Sequence, residues 1–314
     1  MGRSEDIRSP DIREERRGRR IYSTLMLKGI VSVARILATN ARDIKRLRTM
    51  QTSEARYVRP LRRYTLPPSD KIHPHEPGMQ SGQRDARYLR PTRYCNSCAP
   101  EVVALAHSLG AYRVSDRAFA QAAFAFAKDK MTLEIAPIDG VVASLQRSTG
   151  TCFELSSVFI ELCRAAGVKA RYKIFPSNMI QAWREATIDA DPLLQQWYDA
   201  LGYFLLEGEG EAFIDGQWVV AHVGPTAERQ AAARIPISRL GEDAIGSWFH
   251  VRPETVMRME SLPLGLAEGS WLLHKISPGS MERLNVSVLQ DIARGRYILA
   301  ETGGVDAYDA QARH

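Results

Sequence analysis

From Pro100 onward the apolar positions recur first with a helical and then with a strand period. Pro100–Leu109 and Ser115–Lys128 read as helices, the second with a serine start and an apolar face through Phe119, Phe124 and Phe126. Ile138–Gln146 reads as a third, short helix. Thr151–Ala166 reads as a fourth: Leu155, Phe159, Leu162, Cys163 and Ala166 form a stripe at spacings of three and four, and Gly167 ends it. Val168–Phe175 follows as a strand. Asp191 and Pro192 open a helix, "DPLLQQWYDALG", that Gly202 closes. "EAFIDGQWVVAHVGPT" then alternates on both sides of Asp215-Gly216, a two-residue hairpin signal. A strand near Trp248–Met257 and a helix near Met281–Ala293 complete the pattern, with no internal repeat. Helices followed by strands predict an α+β fold.

Before residue 100 the pattern is looser. Residues 1–20 read as a disordered charged tail. Residues 21–50 read as an amphipathic helix, with Leu25, Ile30, Val33, Ile36 and Leu37 roughly on one face and Lys28, Arg35 and Arg42 interrupting it. Residues 51–99 are irregular and rich in Pro, Gly and polar residues. The chain divides accordingly into a basic tail and helix (1–64), a linker-like segment (65–99), a core (100–260) and a C-terminal extension packed on it (261–314).

Charge sharpens this division. The chain carries a net +6, but residues 1–64 hold 17 basic against 7 acidic side chains, and the remaining 250 are mildly acidic. The basic arm is expected to pack on the core or a partner protein, or to lie on an anionic surface. Nucleic-acid binding is disfavoured, because no recognition motif accompanies the arginines. Four cysteines in 314 residues are no disulfide framework, and with no signal-like N-terminus they point to the cytoplasm. No run approaches the ~20 uncharged apolar residues of a membrane helix. His73 and His75 form an H-x-H pair with no further ligand nearby, and "CNSC" (Cys95, Cys98) has no second pair, so neither metal nor cofactor is expected.

Cys152 is the residue with candidate chemistry. A threonine cap at Thr149 or Thr151 leaves it among the first free N–H groups of its helix, at the positive end of the helix dipole. That position favours a thiolate and offers donors to a developing oxyanion. On these residues alone a reactive cysteine and a packed one stand equal, whereas Cys163 belongs to the core stripe.

"GTCFELSSVFIELCRAAGVKARY" resembles the transglutaminase-like core of the papain-like cysteine enzymes: Gly-x-Cys, an apolar helix ending in "RAAG", then a strand opening with an Ala-Arg pair. "AFAFAKDKMTLEIAPIDGVVASLQRSTG" is similar to the helix and spacer before the family's cysteine, and "EAFIDGQWVVAHVGPT" to its later hairpin. The resemblance covers about residues 100–226. It implies a Cys-bearing helix packed on an antiparallel sheet, with His and Asp on neighbouring strands, here preceded by an N-terminal helical arm. The family's His position holds Glu207 and its Asp position holds His222. A rival match of "QAWRE" (181–185) to the family's His segment also lacks the histidine.

Counting outward from the Asp215-Gly216 turn pairs Ile214 with Gln217 and sets Glu209 opposite His222. Glu207, Glu209 and Glu211 then share one face with His222, and Glu207 is diagonal to it. His222 stands as an expected base oriented by Glu207 or Glu209, or equally as an ordinary strand histidine; His250 is the reserve base. The resemblance thus implies cysteine-dependent acyl transfer through a Cys152 thioester, by hydrolysis or aminolysis of an amide, ester or thioester. The alternative is a non-catalytic domain of this type that binds a peptide or partner. "EGEGE" can also be a solvated strand face whose glycines loosen an edge. The tryptophans are expected in the core and Arg171 as structural or cleft-lining. The inserted segment Pro176–Leu206 is expected to cover the cleft.

Overall fold

The computed structural model describes residues 10–43, 45, 56–70, 72, 87–178, 192–203, 205–243 and 251–314. His73, His75, the "QAWRE" segment, Trp183, Trp248 and His250 lie outside them. The fold is α+β, built on an antiparallel sheet of four strands in the order β5-β4-β3-β6: β3 (Ala170–Ser177), β4 (Leu205–Ile214), β5 (Gln217–Ala221) and β6 (Met257–Met259). Preceding it are helices α1 (Pro10–Thr39), α2 (Pro100–Ser108), α3 (Asp116–Lys130), α4 (Val141–Arg147) and α5 (Cys152–Ala165). Two-residue strands β1 (Thr132–Leu133) and β2 (Thr149–Gly150) pair in parallel just before α5.

Helix α5 starts at Cys152 because its cap leaves no other choice. Thr151 is extended, its Oγ1 accepts from Glu154 N–H at 3.3 Å, and Glu154 Oε2 accepts from Thr151 N–H at 2.9 Å. This reciprocal pair satisfies two donors that the first turn leaves without helical partners. Arg147 Nη2 holds the same carboxylate at 3.0 Å. Replacing Thr151 by alanine is expected to cost about 1 kcal/mol, measurable by urea unfolding.

The helix lies directly on β4. A Cβ on Gly208 would stand 2.6 Å from Phe153 Cδ1, and one on Gly210 2.5 Å from Phe159 Cδ1. The glycines therefore admit the helix; they do not loosen an edge, since β4 is an inner strand between β5 and β3. The hairpin register is the expected one, Ile214 with Gln217.

The other face of β4 is polar and buried, where a solvated face was a sequence alternative. Glu211 accepts from Arg171 Nε at 2.7 Å and from Arg258 Nε at 2.9 Å. Both arginines reach onward to α1: Arg171 Nη1 to Asp11 at 3.0 Å, and Arg258 Nη1 to Glu14 at 2.6 Å. Residues 10–20 are accordingly helical rather than a disordered tail. Their acids answer arginines on strands more than 150 residues away, which composition alone does not reveal. The helix expected over 21–50 is thus shifted to Pro10–Thr39. It is also long and apolar enough to cross a membrane by length and composition, with a mean hydropathy of 1.5 over 18 residues. This departs from the expectation that no run qualifies, because two charges are tolerated in such a window. The Lys28 ammonium, for one, is bonded to the Leu201 carbonyl at 2.7 Å.

Residues 87–99 are irregular but docked. Arg164 Nη1 donates to the Arg90 carbonyl at 3.0 Å, Tyr88 accepts from Ala170 N–H at 3.0 Å, and Cys95 is fully buried. Helix α6 (Pro192–Leu201) follows β3, and α7 (Ala227–Ala232) follows β5. The C-terminal part is more helical than the pattern indicated: α8 (Leu266–Ile276), α9 (Pro278–Glu301) and α10 (Val305–Ala312). A 3-10 turn at Pro253–Thr255 precedes β6, so the strand near 248–257 is confined to its end.

Candidate functional site

Cys152 stands at the first helical position of α5, where the cap aims its thiol across the end of β4. The groups that bear on its thiol are the Glu207 side chain and the backbone of Gly208 and Phe153. Glu207 is placed there by register: it pairs with Phe175 across β3–β4, next to the glycine that lets α5 approach. His222 follows the last paired residue of β5. The point where a Cβ on Gly224 would sit is 3.5 Å from Glu207 Oε1 and 3.9 Å from His222 Nε2. Glu207 thus lies near Cys152 on one side and, like His222, near Gly224.

Desolvation dominates the electrostatics of the site. Burial pushes the Cys152 thiol well above its ordinary value, and the Glu207 charge adds to this; the two backbone donors oppose it. The sequence position at a helix start predicts the opposite direction, but desolvation and a neighbouring acid outweigh the helix end. Burial likewise raises Glu207 to about 8, against the opposing pull of Arg229. His222 is pushed well below its usual value by burial and then by the cations Lys128, Lys173 and Arg229. Near neutrality all three groups therefore rest uncharged. Both Cys152 and Glu207 keep some exposed surface, and both line a cavity of about 510 Å³.

Glu209 does not join them. Fully buried, it accepts from Lys173 Nζ at 2.9 Å, and the same ammonium reaches Asp243 at 2.6 Å. Of the two expected partners, Glu207 bears directly on the Cys152 thiol and lines the cavity with it, whereas His222 is buried after β5 and is not among the cavity-lining residues. Two contributors escaped the sequence reading. Arg229, on α7, is buried, lines the cavity and acts electrostatically on Glu207 and His222. Lys128, on α3, donates to the Pro225 carbonyl at 2.9 Å, to Gln230 at 2.6 Å and to Ser238 at 2.9 Å, fixing the loop after His222. A lysine within an Ala/Phe-rich helical face was the available signal for the latter. Of the tryptophans expected in the core, Trp197 lines the cavity, and Trp218 packs edge-on to Tyr88 and Phe213 under Arg171. Among the described residues no group of three or more His, Cys, Asp or Glu could hold a metal ion.

Cys152 thus stands at the start of a helix laid on an antiparallel sheet, with Glu207 beside it. Residues 103–201 match the family model of the transglutaminase-like superfamily. The match includes Cys152 and stops short of Glu207 and His222. Among solved structures, the crystal structure of a candidate cysteine protease from Cytophaga hutchinsonii is similar at 18% identity and a TM-score of 0.32, over 43% of this chain and 40% of that one. No protein of curated function matches this chain in sequence.

Proposed function

We propose that this protein is a cysteine-dependent acyl-transfer enzyme in which Glu207, rather than His222, exchanges the proton with Cys152. The observation that carries this is the convergence of thiol and carboxyl on a cavity at the helix start. The Cys152 sulfur attacks an acyl carbonyl while its proton passes to the Glu207 carboxylate. The oxyanion that forms is held by free N–H groups at the start of α5, the Cys152 N–H among them. When the carbon–heteroatom bond breaks, Glu207 returns the proton to the leaving group and a Cys152 thioester remains. Water or an amine then resolves it by the same proton exchange in reverse. A carboxyl raised to about 8 is a stronger base than an ordinary one once ionised. His222, kept neutral by burial, acts as a positioning residue.

The resting thiol, held neutral by burial, favours a second reading: a non-catalytic domain that uses this cavity to bind a partner. Exposure to a short activated ester separates the two. At pH 8–9 a single acyl adduct is expected on Cys152 by mass spectrometry, absent in Cys152→Ala. Absence of the adduct in the wild type, with the fold intact, would leave the binding reading.

A further inference from the structure

The cavity that ends at Cys152 is built almost entirely from apolar side chains of elements outside the sheet. Helix α1 contributes Val33 and Leu37, α6 contributes Trp197, α8 contributes Leu273 and α9 contributes Val288. Thiol, carboxyl and the Arg229 side chain line it too, where the transglutaminase-like core meets these helices. Two glycines in helix interiors also line it, Gly29 on α1 and Gly269 on α8. A Cβ at either would meet nothing within 4 Å. Glycine weakens a helix relative to alanine, so residues without side chains at these two wall positions keep space open at a cost to the helix. The wall reaches the surface: Ile30 and Leu272, both lining residues, are 60% and 41% exposed.

We infer that this cavity takes a long unbranched acyl chain and presents its carbonyl to Cys152. The inference rests on the acyl-transfer reading and names the substrate class of that site. A polar or charged acyl group would find few partners along these walls, whereas each methylene buried there gains roughly fourfold in affinity. The volume of about 510 Å³ falls within the range of small-molecule sites, about 300–1,000 Å³. Counting about 30 Å³ for a water-sized group, it holds on the order of seventeen methylenes. The apolar rim between α1 and α8 gives such a chain a way in from a dissolved thioester or from a lipid.

The test uses the full chain. Saturated and brominated fatty acids of increasing length are titrated into Cys152→Ala, with Trp197 emission as the reporter and Trp197→Phe as its control. Affinity should rise roughly fourfold per methylene to about sixteen carbons and then level off. Gly29→Phe and Gly269→Phe, which fill the cavity from two different helices, should each weaken binding at least tenfold with the circular dichroism unchanged. In the wild type, a dodecanoyl thioester should acylate Cys152 far faster than an acetyl thioester, and the ratio of the two rates should collapse toward one in the two glycine variants. Dioleoylphosphatidylcholine vesicles in place of the thioester identify whether a lipid also serves as donor. Binding without chain-length dependence, or unaffected by either glycine variant, would overturn the inference. Cys152 acylation by the acetyl donor would in that case still stand, so the acyl-transfer reading survives separately. Chain binding with no acylation from any donor would overturn the assignment of the chain as substrate.

Discussion

Glu207→Gln is expected to lower acyl transfer to Cys152 from a good donor by about 10²- to 10⁴-fold, the range for loss of a positioned general base. Glutamine keeps the shape and the strand pairing with Phe175, so the fold should persist. The pH profile carries the assignment. Burial raises Glu207 to about 8, so its carboxylate is scarce at neutral pH and the wild-type rate should climb through pH 8. The glutamine variant should lack this limb. Alkylation of Cys152 by iodoacetamide should move the other way. The Glu207 charge opposes a thiolate beside it, and removing it should speed alkylation above pH 8. If turnover and alkylation both fell by the same factor, Glu207 would be needed merely to shape the site. Stability gives a third readout. A carboxyl whose folded value is raised from 4.5 stabilises the protein most below that value, and this contribution is lost as pH rises to about 8. Glu161, also raised by burial to about 8, acts over the same window, so Glu207→Gln should flatten the decline without abolishing it.

The cysteine end of this site was legible because it is local. A threonine three residues before a glutamate, an apolar stripe and a terminal glycine specify α5 within a single stretch of chain, and the Asp215-Gly216 turn fixes the register that brings Glu207 and His222 to one end of the hairpin. What local pattern could not supply was depth. Glu211 and Glu209 look solvated in sequence, yet each is neutralised by a basic residue on β3, and α1 completes the network from the far end of the chain. The same long-range packing reverses the thiol's expected pKa, since a free helix start in water and one facing a buried acid differ in solvation rather than in sequence. The cavity is likewise invisible along the chain. Its walls come from α1, α6, α8 and α9, whose apolar faces seem complete in isolation and enclose a space only when assembled.

Gly295→Ala is expected to be the most damaging single methyl in the protein's C-terminal half. Alanine at a helical glycine normally helps, by about 1 kcal/mol. At Gly295, in α9, the added Cβ would stand 1.6 Å from the carbonyl oxygen of Glu228 and 2.4 Å from its carbon, both belonging to the backbone of α7. No rotamer relieves a contact with main chain, so α7 and α9 must part. Overpacking of this kind typically costs about 1–3 kcal/mol and more where nothing can yield, which exceeds the propensity gain. We expect a loss of at least about 3 kcal/mol by urea unfolding. Gly269→Ala provides the opposite sign: with nothing within 4 Å of its Cβ, it should be neutral or stabilise by up to about 1 kcal/mol. The damage should also reach the chemistry. Arg229 follows Glu228 on α7 and pulls the Glu207 carboxyl toward its charged form. If α7 shifts outward, that pull weakens and the rise of acylation rate with pH should move above 8. A Gly295→Ala protein with wild-type stability and an unmoved pH profile would mean that α7 and α9 are not held together at this crossing.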